Sequence, residues 1–185
     1  MDLLTAKLEH GFTHLDRDGD GILTEHDHVL MGESVAASLG HPSGSAQEQR
    51  IIDAYLRIWR DLHLPHVPPG TTGISKEQFL TSTRTLAADP ALARATVGAL
   101  AEAFAGIADG DGDGAIASRE YGLFLRGHFP RLTDADLTYA FTTLDTDGDG
   151  QLSREELVTA IIEFWTSADH SARGNHWAGP VPGLD

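Results

Sequence analysis

Apolar residues recur along this 185-residue chain at intervals of three and four, the spacing of one helix face. Leu4, Leu8, Phe12 and Leu15 mark a first helix from about Asp2 to Leu15. A second, opened by the N-cap residue Thr24, runs to about Leu39 and stops at Gly40, His41 and Pro42. A third starts near Ser45, carries Ile51, Ile52, Tyr55, Leu56, Ile58, Trp59 and Leu62, and ends in the turn-rich LPHVPPGTTG. Asp89 as N-cap and Pro90 as first helical residue open a helix to about Ala108. Further helices are expected from Ser118 to about His128, from Thr133 through Leu144, and from the Ser153/Glu156 capping box to near Ser167. With the helix that follows Ser75 the count is eight, and the fold class is all-α.

Three twelve-residue stretches interrupt these helices with acids: DRDGDGILTEHD from Asp16 to Asp27, DGDGDGAIASRE from Asp109 to Glu120, and DTDGDGQLSREE from Asp145 to Glu156. We refer to them as loops one, two and three. In each, carboxylates occupy positions 1, 3 and 5, a Gly at 6 permits a sharp turn, an apolar residue sits at 8, and an acid closes position 12. A hard dication such as calcium requires six to eight oxygens at this spacing. The candidate ligands are Asp16, Asp18, Asp20, Ile22 and Asp27; Asp109, Asp111, Asp113, Ala115 and Glu120; and Asp145, Asp147, Asp149, Gln151 and Glu156. Ile22, Ala115 and Gln151 stand at position 7, where only the backbone carbonyl serves.

Loop two begins 93 residues after loop one, and loop three only 36 after loop two. The long interval contains VPPGTTGISKEQF, Val67 to Phe79, whose back half keeps the loop pattern while its front half has no acid and carries Pro68 and Pro69. It reads as a metal-free fourth unit, retained because such loops pack in pairs through position-8 residues. Ile74 is expected to face Leu23, and Ile116 to face Leu152.

Fourteen of the 28 acids lie in the three loops, so the formal charge of −15 is concentrated rather than spread. Three bound dications would leave −9, a field that argues against nucleic acid or an anionic membrane as partner. The absence of Cys excludes disulfides and zinc–thiolate sites. MDLLTAKLEHGF has no basic leader, and no segment is expected to reach membrane-spanning length, which points to a cytoplasmic protein. Eleven Arg against two Lys, with abundant Ala and Gly, suits a GC-rich bacterial genome. His26 with His28, and His63 with His66, have no third ligand at hand and are expected to be surface residues. No nucleophile elbow is present, so catalysis is not expected.

The three loops, the silent second unit, the long connection and the Gly174-Asn175-x-Trp177 tail resemble the prokaryotic EF-hand proteins of the calerythrin type, which are similar to sarcoplasmic calcium-binding proteins. The resemblance implies a compact four-hand protein with metal in hands one, three and four, working as a soluble calcium buffer or transporter. On this reading 1–88 form the first pair, 89–168 the second, and 169–185 a tail that is either disordered or docked through Trp177 in an apolar groove. The alternative is a sensor that regulates a protein partner of unknown identity. Its apolar grooves are usually Met-rich, and Met1 and Met31 are the only methionines here. A monomer is expected. Two departures matter: Asp27 replaces the usual Glu at position 12, which favours magnesium as a competitor in loop one, and Ala117 leaves position 9 of loop two to a water.

Overall fold

The computed structural model describes residues 2–181; Met1 and the last four residues of the tail lie outside it. Eight α-helices carry the fold: α1 Leu3–Leu15, α2 Glu25–Ser38, α3 Ala46–Ile58, α4 Lys76–Ala87, α5 Pro90–Ala108, α6 Ser118–His128, α7 Asp134–Leu144 and α8 Arg154–Thr166. Their starts are set by local chemistry. Asp2, Thr24, Ser45, Ser75, Asp89, Thr133 and Ser153 each accept a backbone N–H of the first turn, satisfying donors that the helix itself leaves unpaired.

Four three-residue strands join the loops in pairs. β1 (Ile22–Thr24) runs antiparallel to β2 (Gly73–Ser75) with Leu23 opposite Ile74, and β3 (Ala115–Ala117) to β4 (Gln151–Ser153) with Ile116 opposite Leu152. All four of these position-8 residues are buried, so each ladder pins two loops to the core at once. A Cβ on Gly73 would lie 2.5 Å from the Leu23 carbonyl oxygen; only glycine permits this pairing.

The long interval between loop one and β2 departs from the regular pattern. After α3 the chain makes a π turn, Trp59–His63, in which Leu64 N–H bonds to the Trp59 carbonyl, then a 3₁₀ turn over Leu64–His66. Both Trp59 and His63 thereby face the interior.

A continuous apolar core spans both halves. Helices α2 and α6 cross so closely that a Cβ on Gly127 would fall 2.4 Å from Val35 Cα, and Ser34 Oγ donates to the Gly127 carbonyl at 2.9 Å. Helix α5 is 19 residues long and apolar enough, by length and composition, to cross a membrane, which corrects the expectation that no segment reaches that length. In this fold its Ala93, Val97, Ala101, Phe104, Ala105 and Ala108 are core residues, and it packs along α8.

The tail turns back over the second half. A 3₁₀ turn at Arg173–His176 lies against α7 and α8 and delivers Trp177 into a fully buried slot among Phe104, Phe129 and Phe164, with ring centroids 5.1–6.3 Å away. Tyr121 Oη donates to the Trp177 carbonyl at 3.3 Å. Lys7 holds the turn from the other side: its Nζ donates to the Glu163 carbonyl at 2.9 Å and to Asn175 Oδ1 at 2.7 Å. Burial brings the Lys7 ammonium down to about 8, against the pull of Glu163.

Candidate metal centres

The backbone of each loop is shaped by its own acids. In loop one Asp16 accepts Gly19 N–H and Gly21 N–H at 3.0 Å, Asp18 accepts Asp20 N–H at 3.1 Å, and Asp20 accepts Ile22 N–H at 2.8 Å. Loops two and three repeat this set through Asp109, Asp111 and Asp113, and through Asp145, Asp147 and Asp149. The glycines at position 6, Gly21, Gly114 and Gly150, have φ of 85–92°, where other residues are strained.

Folding gathers three acids of each loop around one point. Asp16, Asp18 and Asp27 offer oxygens within 4.8 Å of one another, as do Asp109, Asp111 and Glu120, and Asp145, Asp147 and Glu156. Asp20, Asp113 and Asp149 stand outside these triads, each with one oxygen on the position-7 N–H. Ile22, Ala115 and Gln151 begin the strands, where the pairing fixes their backbone. Three close carboxylates repel one another, and hard oxygens alone form the cluster, so the donor set fits a hard dication.

The closing acids show how different side-chain lengths meet one requirement. Glu120 Oε1 accepts Gly110 N–H (2.9 Å) and Oε2 accepts Ala117 N–H (2.9 Å); Glu156 takes Thr146 N–H (2.7 Å) and Ser153 N–H (2.9 Å) in the same way. Asp27, one methylene shorter, still spans both points, accepting Arg17 N–H and Thr24 N–H at 2.8 Å each. Loop one is therefore drawn inward, and Asp27 is fully buried where Glu120 and Glu156 are half-buried. Burial alone raises the Glu156 carboxyl, but the hydrogen bonds from Thr146 and Ser153 outweigh it and lower it to about 2. Asp16 is raised, by burial first and then by the charges of Asp27 and Asp20, against the N–H groups of Gly21 and Gly19.

Against this geometry the comparisons with known proteins are specific. The EF hand family model matches residues 138–161, from α7 through loop three into α8. Calerythrin of Saccharopolyspora erythraea is 28% identical over 165 residues, which cover 88% of this chain and 92% of that protein. The chain is similar to calerythrin along most of its length. The EF hand match falls on α7–loop three–α8, and α1–loop one–α2, α3–β2–α4 with its connecting turns, and α5–loop two–α6 repeat its helix–loop–helix order. The luciferin-binding protein of Renilla reniformis is 26% identical over 175 residues, 95% of this chain and 92% of that one. A solved calcium-binding protein of Streptomyces coelicolor superposes with a TM-score of 0.70 at 25% identity, covering 87% of this chain and 96% of that one.

Two features of the site escape the loop motif. Arg17, at position 2 of loop one, sends its guanidinium to the end of α6, donating to the Gly127 carbonyl at 2.9 Å and the His128 carbonyl at 3.4 Å. Position 2 has no ligand role, so the spacing gives no sign of this. The expectation of surface histidines also needs correction: His26 and His66 are exposed, but His28 and His63 are buried with ring centroids 5.3 Å apart. They lie 35 positions apart in the chain and meet only when the π turn packs on α2.

Proposed function

We propose that this protein is an intracellular calcium buffer or transporter that binds three ions, one in each acidic loop. The observation that carries the reading is the threefold gathering of position 1, 3 and 12 carboxylates on pre-shaped backbone. In this reading Asp16, Asp18, Asp20 and Asp27, Asp109, Asp111, Asp113 and Glu120, and Asp145, Asp147, Asp149 and Glu156 bind through carboxylates, and Ile22, Ala115 and Gln151 through backbone oxygen. Loops two and three, tied by β3–β4, act as the strong pair, while loop one admits magnesium because a short, monodentate Asp suits a small octahedral ion. The pairs 1–88 and 89–168 are the working units, closed by the tail.

Buffering is favoured because Trp177 fills the apolar slot that a target helix would need. The sensor reading draws its support from the Streptomyces coelicolor protein, whose structure is described as a basis for prokaryotic calcium-mediated regulation. The two are separated by whether calcium exposes new apolar surface to a reporter dye.

Calorimetric titration with calcium, repeated in magnesium, tests the proposal. Three ions are expected in the absence of magnesium, and magnesium displaces calcium at loop one first. Glu120→Gln and Glu156→Gln each lower the stoichiometry by one. Unchanged stoichiometry in either variant sinks that assignment.

A further inference from the structure

His28 and His63 meet inside the fold with ring centroids 5.3 Å apart. With N–metal bonds of about 2.0 Å, two imidazoles that share one ion at a trigonal or tetrahedral angle hold their centroids roughly 5–5.5 Å apart. Rings in plain van der Waals contact reach the same distance, so the nitrogen atoms decide. His28 Nδ1 donates to the Thr24 carbonyl at 2.8 Å, which fixes the tautomer and leaves the lone pair on Nε2. That Nε2 is fully buried and has no hydrogen-bond partner, whereas buried acceptors are normally satisfied. A backbone carbonyl on one ring nitrogen is how metal-binding histidines are held in place for the ion on the other.

A third donor comes from the same helix. Met31 follows His28 by one turn of α2, on the same face, and is fully buried. His28, Met31 and His63 all line one apolar chamber of about 40 Å³, room enough for a water-sized ion. The lining holds no carboxylate, lysine or arginine, so nothing there offsets the charge of a dication. Trp59 stands 5.3 Å from the His28 ring and 6.3 Å from that of His63, an aromatic wall of the kind that attracts a cation. His63 and Thr83 also line an outer pocket of about 230 Å³ between the π turn and α4, together with Asp61, His66 and Ser82, so a polar path leads an ion inward.

We propose that His28 Nε2, the His63 imidazole and Met31 Sγ form a three-coordinate site for one copper(I) ion, separate from the three acidic loops. Imidazole suits several transition metals, and the thioether narrows the choice to soft copper(I). A single charge is also the most that this lining can take in, because zinc(II) would bring two into a space without a counter-ion. The site does not depend on how many ions the acidic loops hold.

The test titrates copper(I), kept reduced by ascorbate under nitrogen, into the full calcium-loaded chain in competition with the chromophoric chelator bicinchoninate. One ion per chain is expected, with quenching of tryptophan fluorescence and no displacement by equimolar zinc(II). Met31→Leu, which keeps the volume, should weaken binding about tenfold, and His28→Phe should abolish it. His26→Ala and His66→Ala, at the exposed neighbours, should leave the affinity unchanged. His63→Phe takes the place of His28→Phe if the latter does not fold, as judged by its circular dichroism. No copper withdrawn from the chelator, displacement by zinc(II), wild-type affinity in Met31→Leu or in the folded histidine variant, or loss of binding on replacing either exposed histidine would each overturn the proposal.

Discussion

Loop one and loop three satisfy the same backbone groups in opposite surroundings. Glu156 reaches the N–H groups of Thr146 and Ser153 from a half-exposed position, whereas Asp27 reaches those of Arg17 and Thr24 only by being drawn into the interior. Loop three is tied to loop two through β3–β4, and its Arg154 pairs with Glu102 of α5, the entering helix of that same loop. Loop one, beyond its ladder to the silent hand, is joined by Arg17 to the end of α6, the exiting helix of the third hand. Shortening the closing acid by one methylene thus changes how deeply a loop sits and what it touches.

If loop one and its neighbouring histidines are the buried side of that contrast, acid should act there first. Burial holds His63 and His128 well below 6.5, with His28 and His66 adding to the effect at His63, and Arg17, His14 and His28 at His128. Above 6.5 neither state is protonated and stability is unaffected. Below it the unfolded chain binds protons that the fold refuses, so stability falls with pH by about 1.4 kcal/mol per unit for each histidine. Urea unfolding in chelator at successive pH values should lose about 2.7 kcal/mol per unit from the pair, a slope flattened in His63→Gln and in His128→Gln. A slope untouched by both substitutions would show that acid acts elsewhere.

The bridge from Arg17 supplies the next test. Arg17→Met removes a charged donor from two carbonyls and should cost about 2 kcal/mol in unfolding experiments, while Thr146→Ala, the equivalent position in loop three, should cost about 1 kcal/mol or less. Equal losses would erase the distinction between the loops. The smallest effect expected is at the closing acid itself. Asp27→Glu forces a methylene into a filled site, at about 1 kcal/mol without metal, whereas Glu156→Asp, half-exposed, should stay within about 0.5 kcal/mol. In calcium and magnesium titrations the same Asp27→Glu change should move loop one toward calcium. A variant that kept the wild-type preference would detach selectivity from side-chain length.

Much of this architecture is legible in the residues. Helix starts at Thr24, Asp89, Thr133 and Ser153 follow from caps that act over three or four positions, and the facing of Leu23 with Ile74 and Ile116 with Leu152 follows from loop position 8. The acid triads are legible for the same reason, since all their members lie within twelve residues. The π turn at Trp59–His63 is not, because its residues also fit an ordinary helix and only packing against α2 selects the wider turn. Nor is the direction of Arg17, a side chain whose partners are 110 and 111 residues away.

The sequence by itself determined the local chemistry: carboxylates at fixed intervals, glycines where the chain must turn sharply, and capped amphipathic helices between them. Each of these is decided by neighbours a few residues off, at bond-length and hydrogen-bond scale. Tertiary structure alone decided that Trp177 closes the second half, that Asp27 is buried while Glu120 and Glu156 are not, and that His28 meets His63 beside an apolar chamber. Those outcomes depend on how whole helices fit against one another, and close packing is a property of the assembled surfaces rather than of any segment within them.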